Sequence, residues 1–298
     1  MGKKTTELVA ITEIASNDIL FGVDVSDTSG SVNGTNKKFT KASLLSGLAL
    51  ESPQLSGWNP LGYTLEYVSV DNPTGVVRVA GVDVTSLLSV GMRIKFTNGG
   101  NVIYGIITAI AFSTNTTITF LHEINPANNQ ALTLVGNSTI TLPYFSTQKA
   151  PHGFPLDPNK WSLVVKDSGF RSGSTTQNAW QNISQLNITI PIGLWRIAQK
   201  FTFYASRATN GIADSYYTLS TANNSETNTD STCRCYVRAT TDGARTEAGP
   251  TIQNSFILNI ASKTAYYTNV KTTQTGITAH GLDGASAPLV LTVTCAYL

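Results

Sequence analysis

Residues 92–107 read MRIKFTNGGNVIYGII. Polar and apolar side chains alternate strictly from Met92 to Phe96, the period of a strand with one buried face, and the charges of Arg93 and Lys95 are expected outward. The tetrapeptide Asn98-Gly99-Gly100-Asn101 then turns the chain, and Val102 to Ile107 runs back, so the stretch predicts a β-hairpin. The same texture extends on both sides. Residues 65–70 and 75–80 alternate before the hairpin, and 116–120 follows it. Short strands at even spacing, separated by Asn/Gly turns, predict a small β-barrel or sandwich across 51–150.

Further strands are expected at 161–165, 186–190, 193–197, 200–205, 215–219, 233–237, 255–260 and 265–270, with a last one running from 289 to the final residue. Eight or so strands joined by long polar loops predict an antiparallel, jelly-roll-like β-sandwich over 151–298. The opening residues 1–50 differ. They hold a short apolar strand at 18–25, a Gly/Ser/Asn turn at 29–36 and a helix after Thr40, whose hydroxyl suits an N-cap. Fifty such residues hold too little core to stand alone and are expected to pack on a partner or on sister copies. Residues 51–57, ESPQLSG, mark the boundary. The fold class is therefore all-β, in three parts: 1–50, 51–150 and 151–298.

Composition narrows the function. Charged residues make up only 13% of the 298, about half the usual share, and Thr, Ser and Asn fill the gap. A net charge of +2 without a basic run longer than a pair speaks against binding nucleic acid through phosphate neutralisation. No apolar run reaches 18 residues, so no helix inserts in a membrane. Three cysteines make no disulfide framework, which leaves burial and strand pairing to hold the fold.

Groups suited to catalysis are sparse. His122 follows a strand, His152 sits in the Pro-rich bend KAPHGFPLDP, and His280 sits in a glycine-rich stretch, ITAHGLDG, expected to be a loop. None has zincin spacing, and neither a G-x-S-x-G elbow nor a phosphate-cradling G-x-x-x-x-G-K-[ST] occurs. Cys233 and Cys235 share a strand face by alternation; the expectation is core packing, with a metal shared with His280 or Cys295 as the alternative. No metal site, cofactor or catalytic residue is assigned. The aromatic doublets Tyr216-Tyr217 and Tyr266-Tyr267 lie on expected strands, so one member of each faces out. An outward Tyr beside polar loops suits sugar stacking, because the ring covers the apolar side of a pyranose while neighbours reach its hydroxyls. The candidate ligand-binding set is Tyr216, Tyr217, Asn223, Asn224, Asp230, Asp242, Arg245, Tyr266 and Tyr267, drawn from the doublets and the polar loops 221–230 and 240–250.

Residues 6–48, TELVAITEIASNDILFGVDVSDTSGSVNGTNKKFTKASLLSGL, resemble the N-terminal segments of tailed-bacteriophage tail-fibre and virion proteins. Trp58, AGVDVTSLLSVGMRIKF (80–96), YGIITAIAFSTNTTITF (104–120) and YFSTQKAPHGFPLDPNKWSLVV (144–165) resemble a domain of phage and prophage structural proteins. The resemblance spans about 7–165 and implies a virion structural protein made in the host cytoplasm, a homotrimeric tail fibre or receptor-binding adhesin. Virion docking would then fall to Ile19, Phe21, Val23, Phe39, Leu44 and Leu45. The expected partners are sister copies, other virion proteins and a host surface glycan or protein receptor. The alternatives are a head-fibre, decoration or neck protein without a receptor, and a polysaccharide depolymerase. The last is disfavoured by sparse carboxylates and missing β-helix repeats.

Overall fold

The computed structural model describes residues 19–24, 29, 35–40, 56–125, 130–131, 134–136, 138–239, 241 and 249–298. Two compact units result, Met1–Asn59 and Pro60–Leu298. In the first, Ile19–Asp24 pairs antiparallel with Thr35–Thr40. The first strand lies within the apolar stretch 18–25 expected to form it. Thr40 closes the second strand, and the helix expected after it falls outside the described residues, as do Leu44 and Leu45. Ile19, Phe21 and Val23 pair with Thr40, Lys38 and Asn36, whereas Phe39 pairs with Leu20.

The larger unit begins with a single antiparallel sheet. Six of its strands lie in the order Ile140–Ser146, Arg93–Asn98, Asn101–Phe112, Thr116–His122, Thr74–Val79 and Glu66–Asp71. One core spans the sheet: Val77, Val79, Ile94, Phe96, Ile103, Ile118, Phe120, Ile140 and Phe145 form a cluster with Tyr67 packed against it. The core thus runs across the sheet from Ile140–Ser146 to Glu66–Asp71. The strands at the two edges of the sheet do not pair with one another among the described residues, so the sheet is open rather than a closed barrel. The hairpin forms with Asn98 opposite Asn101. Gly99 and Gly100 both take positive φ (57° and 82°), the two-residue turn whose twist matches that of the flanking strands.

Arg93 departs from expectation. It does lie on the sheet face opposite Ile94 and Phe96, but it is only 1% exposed. Its guanidinium donates to the carbonyls of Gly91 (2.6 Å), Lys149 (3.1 Å) and Tyr297 (2.9 Å) and sits 5.0 Å from the Phe154 ring centre. Phe154 stacks on Trp161 at 5.1 Å and meets Tyr104 edge-on. The Pro-rich bend thus folds over the outer face of the sheet and ties it to the C-terminal residues. Burial lowers the Arg93 pKa, yet a guanidinium keeps its charge in proteins, and three carbonyl dipoles replace the water it has lost.

Residues 162–295 form two stacked antiparallel sheets. In one, Ser162–Asp167 and Phe170–Ser172 pair with Leu289–Cys295 and Ile277–Asp283, which pair with Gly193–Arg207, which pairs with Thr251–Ile260. In the other, Gln181–Asn182 and Ile188–Ile190 pair with Thr264–Thr272, then come Gly211–Ser220 and Thr232–Ala239. Counting each interrupted strand once and lettering the eight positions B to I, the sheets are B-I-D-G and C-H-E-F, the topology of a jelly roll. Its interior is apolar and aromatic, with Trp195, Ile197, Phe201, Phe203, Tyr217, Leu219, Val237, Val270, Leu282 and Leu291 buried.

Three expectations are corrected here. Residues 193–197 and 200–205 are one 15-residue strand. The polar Gln199 between them is an inward residue of the same alternation, held in place by a ten-pair ladder to Thr251–Ile260. ITAHGLDG is a strand, Ile277–Asp283. Gly281 lies in it at φ 156°, where a Cβ would come within 2.0 Å of the Arg171 carbonyl oxygen, so the glycine marks close backbone approach rather than a turn. The last strand ends at Cys295.

Candidate functional site

The outer surface of the C-H-E-F sheet carries the exposed Tyr236 together with the half-buried Tyr216 and Trp180. In Gly211–Ser220, Ala213, Ser215, Tyr217 and Leu219 point inward and are buried, which leaves Ile212, Asp214, Tyr216 and Thr218 on the outer side. Cross-strand partners share a face. Ile212 lies opposite Arg238, Asp214 opposite Tyr236, and Tyr216 between Arg234 on one side and Lys271 on the other. Trp180 precedes the short strand beside Lys271.

These side chains interlock. Lys271 Nζ sits 4.4 Å from the Trp180 ring centre and 5.1 Å from that of Tyr216. Arg234 Cζ sits 5.5 Å from the Tyr216 centre and 4.8 Å from that of Tyr236. The result is a ladder across the sheet, Trp180, Lys271, Tyr216, Arg234, Tyr236, in which rings and cations alternate. Cation–π attraction orders long side chains that would otherwise sample many rotamers. Asp214 fixes the centre. It accepts from Arg234 Nε at 2.8 Å and Nη2 at 2.7 Å, and from Thr273 Oγ1 at 3.1 Å. The Arg234 hydrogen bonds hold the Asp214 carboxyl below its ordinary 3.8, with Thr273 assisting against the opposing effect of burial. Asp214 in turn raises the Arg234 pKa. Burial, then the Asp214 charge, raises that of Tyr216.

The ladder opens at one end on a groove of about 560 Å³ lined by Asn210, Gly211, Ile212, Tyr236 and Arg238. Tyr236 is 59% exposed and Ile212 58%. Its other end is closed by the 221–231 loop, where Ser231 Oγ donates to Leu219 O and Asn269 Nδ2 donates to Ala222 O and Ser225 O. Such a face can stack flat rings and hold them by charge.

The expected ligand-binding residues separate accordingly. Tyr216 belongs to the ladder. Tyr217 does not reach solvent: it packs between Phe201 and Phe203 at 5.1 and 5.8 Å. Tyr267, opposite Ser220, shares the outer face but lies four residues from Lys271, beyond the covering loop. Tyr266 is on the other face, opposite Ile188, and half-buried. Asn224, at φ 53°, shapes the loop by accepting from Asn182 N and donating its own N–H to Asn269 Oδ1. Asn223 and Asp230 are exposed on that loop. Asp242 and Arg245 lie outside the described residues. Sequence reasoning passed over Trp180, Arg234, Tyr236, Arg238 and Lys271. The alternation of 232–239, with Arg, Tyr and Arg every second residue, was the available signal.

The cysteines do not converge on a metal. Cys235 and Cys295 are buried and Cys233 is half-buried, burial pushes the Cys235 thiol up to about 12, and among the described residues no three His, Cys, Asp or Glu side chains gather to hold an ion. His280, buried in the jelly roll, lies 3.1 Å from Ser215 Oγ through Nε2; burial lowers its pKa to about 4.

No protein-family model matches the sequence, and no curated protein is significantly similar to it. Among solved structures, dimeric latent PorU from Porphyromonas gingivalis is similar at 11% identity over 80% of this chain, with a TM-score of 0.28. This chain spans 24% of the PorU chain. T=1 particles derived from infectious bursal virus are similar at 11% identity over 83% of this chain and 78% of that one, TM-score 0.27. The VP2 subviral particle of infectious bursal disease virus is similar at 14% identity over 89% and 66%, TM-score 0.27.

Proposed function

We propose that this chain is a structural protein of a tailed-bacteriophage particle and attaches that particle to glycan on the host surface, without making or breaking a covalent bond. The observation that carries the attachment role is the ladder of rings and cations on the outer C-H-E-F face. A pyranose needs flat apolar cover for one side and fixed polar groups at its rim. Tyr236, 59% exposed, and Trp180 offer the first; Arg234 and Lys271 offer the second, held in place by Asp214 and Tyr216. The virion assignment is supported by the resemblance of residues 7–165 to phage structural proteins. In this reading the N-terminal segment joins other virion proteins, and several weak sites on one particle act together through effective concentration.

Self-association is part of the proposal, with a trimer as the expected count. Thr251–Ile260 is a ten-residue strand paired along one edge only among the described residues. It carries no charge and no proline, and Ile257 on it is 58% exposed. Edge strands that must stay unpaired are usually protected by such residues; the edge strand of the other sheet, Thr232–Ala239, carries Arg234 and Arg238. The test is twofold. Antibody labelling in electron microscopy locates the protein on intact particles, and purified full-length protein competes with phage for host cells. Absence from mature particles refutes the virion role. Protein present on particles that neither binds cells nor slows adsorption refutes the attachment role and favours a head-fibre or decoration protein.

A further inference from the structure

We infer that the groove at the open end of the ladder takes an acidic sugar, with its ring on Tyr236 and its carboxylate on Arg238. This narrows the glycan reading above and rests on it.

The argument starts from charge. Arg207, Arg234, Arg238 and Lys271 lie on or beside this part of the face, and among the described residues the carboxylate beside them is Asp214. Asp214 is spent on Arg234, which it holds through two short hydrogen bonds. Lys271 lies against two rings. Arg207 is directed to backbone, donating to Ile212 O at 3.0 Å and Thr275 O at 3.3 Å. Arg238 differs from all three: it has no hydrogen-bond or ion-pair partner among the described residues, and it lines the groove. A guanidinium with its planar fork unoccupied matches a carboxylate, which it binds through two parallel N–H···O bonds.

Shape agrees with charge. Ile212 lies opposite Arg238 and Asp214 opposite Tyr236, so the Tyr236 ring and the Ile212 side chain form adjoining apolar surfaces beside the Arg238 head. The volume, about 560 Å³, suits one or two sugar rings rather than a protein loop. Asn210 Oδ1 is engaged by Thr241 N at 2.9 Å, which leaves its amide N–H groups to meet a ring hydroxyl. A neutral sugar stacks here as well, but it leaves the guanidinium without a counter-charge. The discrimination is therefore electrostatic and belongs to one residue.

The experiment measures binding of the full-length protein to galacturonate, glucuronate and mannuronate tetramers and to their methyl esters, by ligand-observed NMR and calorimetry. Cellotetraose and mannotetraose are the neutral probes. At least one acid should bind about tenfold more tightly than its ester, as loss of a charge-assisted bidentate pair requires. Arg238→Gln should bring the acid down to the ester's affinity, and Tyr236→Ala should weaken both forms. Both side chains are exposed, so both variants should keep the parent melting temperature. Acids and esters bound equally, or neutral probes alone bound, overturn the acidic-sugar inference and leave the glycan reading standing. Acid binding unchanged in both variants overturns the groove. Binding to no sugar at all overturns the glycan reading and this inference with it.

Discussion

Acidification from pH 6.5 to pH 4 should remove much of this protein's stability before any of the described carboxylates with lowered pKa is protonated. The cause is two histidines held neutral in apolar surroundings. His122 ends the Thr116–His122 strand of the sheet that precedes the jelly roll, fully buried and 6.1 Å from the Phe120 ring centre. His280 is buried inside the jelly roll. Burial lowers both from 6.5 to about 4. Between these values the unfolded chain binds protons that the folded chain does not, so stability falls as pH falls. Each histidine contributes a slope of about 1.4 kcal/mol per pH unit. Over the interval from 6.5 to 4 that is about 3 kcal/mol per histidine, or ~6 kcal/mol for the pair. A domain's whole stability is about 5–15 kcal/mol. Asp214 and Asp167, whose pKa values are lowered in the folded state, contribute stability that is intact above about 4 and lost only below it, so they do not blur the window. Urea unfolding followed by tryptophan fluorescence at pH 7, 6, 5 and 4.5 measures the slope. His122→Leu and His280→Leu should each remove about half of it, whatever they do to stability at pH 7. A free energy of unfolding that stays flat from pH 6.5 to 4.5, or a slope that survives both substitutions, refutes the reasoning.

Three other outcomes follow from particular contacts. Arg93→Met should cost about 3 kcal/mol in urea denaturation, because the Gly91, Lys149 and Tyr297 carbonyls lose a charged donor and the Pro-rich bend loses its anchor. The neighbours Tyr216 and Tyr217 should behave oppositely: Tyr217→Ala should destabilise by about 3–5 kcal/mol through a core cavity, whereas Tyr216→Ala should leave melting nearly unchanged and abolish competition for host cells. Ser255→Lys places a charge at the middle of the exposed Thr251–Ile260 edge and should lower the mass measured by light scattering towards that of a single chain; an unchanged multimeric mass removes this strand from the subunit contact.

Strand content was legible in the sequence because a half-buried strand writes its burial with period two, and the hairpin at Asn98–Asn101 was legible because its turn needs two residues with positive φ. Residues 92–107 contain both signals, and the hairpin forms there with Asn98 opposite Asn101. Alternation also says that Tyr216 and Tyr217 face opposite ways, and that Cys233 and Cys235 face the same way. It does not say which face is inside. That depends on the second sheet of the jelly roll, whose Phe201 and Phe203 receive Tyr217. Arg93 was misread for the same reason: a charge on the outer face of a sheet is solvated only if nothing covers that face, and the cover here arrives from the Pro-rich bend and from Tyr297, 204 residues along the chain. The ladder of the candidate site needed tertiary structure most of all. Arg234 and Tyr236 are neighbours on one face of a single strand, but Tyr216, Lys271 and Trp180 come from two other strands and a loop, and only the pairing of those strands sets the Tyr216 ring between Arg234 and Lys271. Local periodicity is a property of neighbouring residues and survives in the linear text. Strand order, and the surface it assembles, is chosen by burial of the whole chain at once.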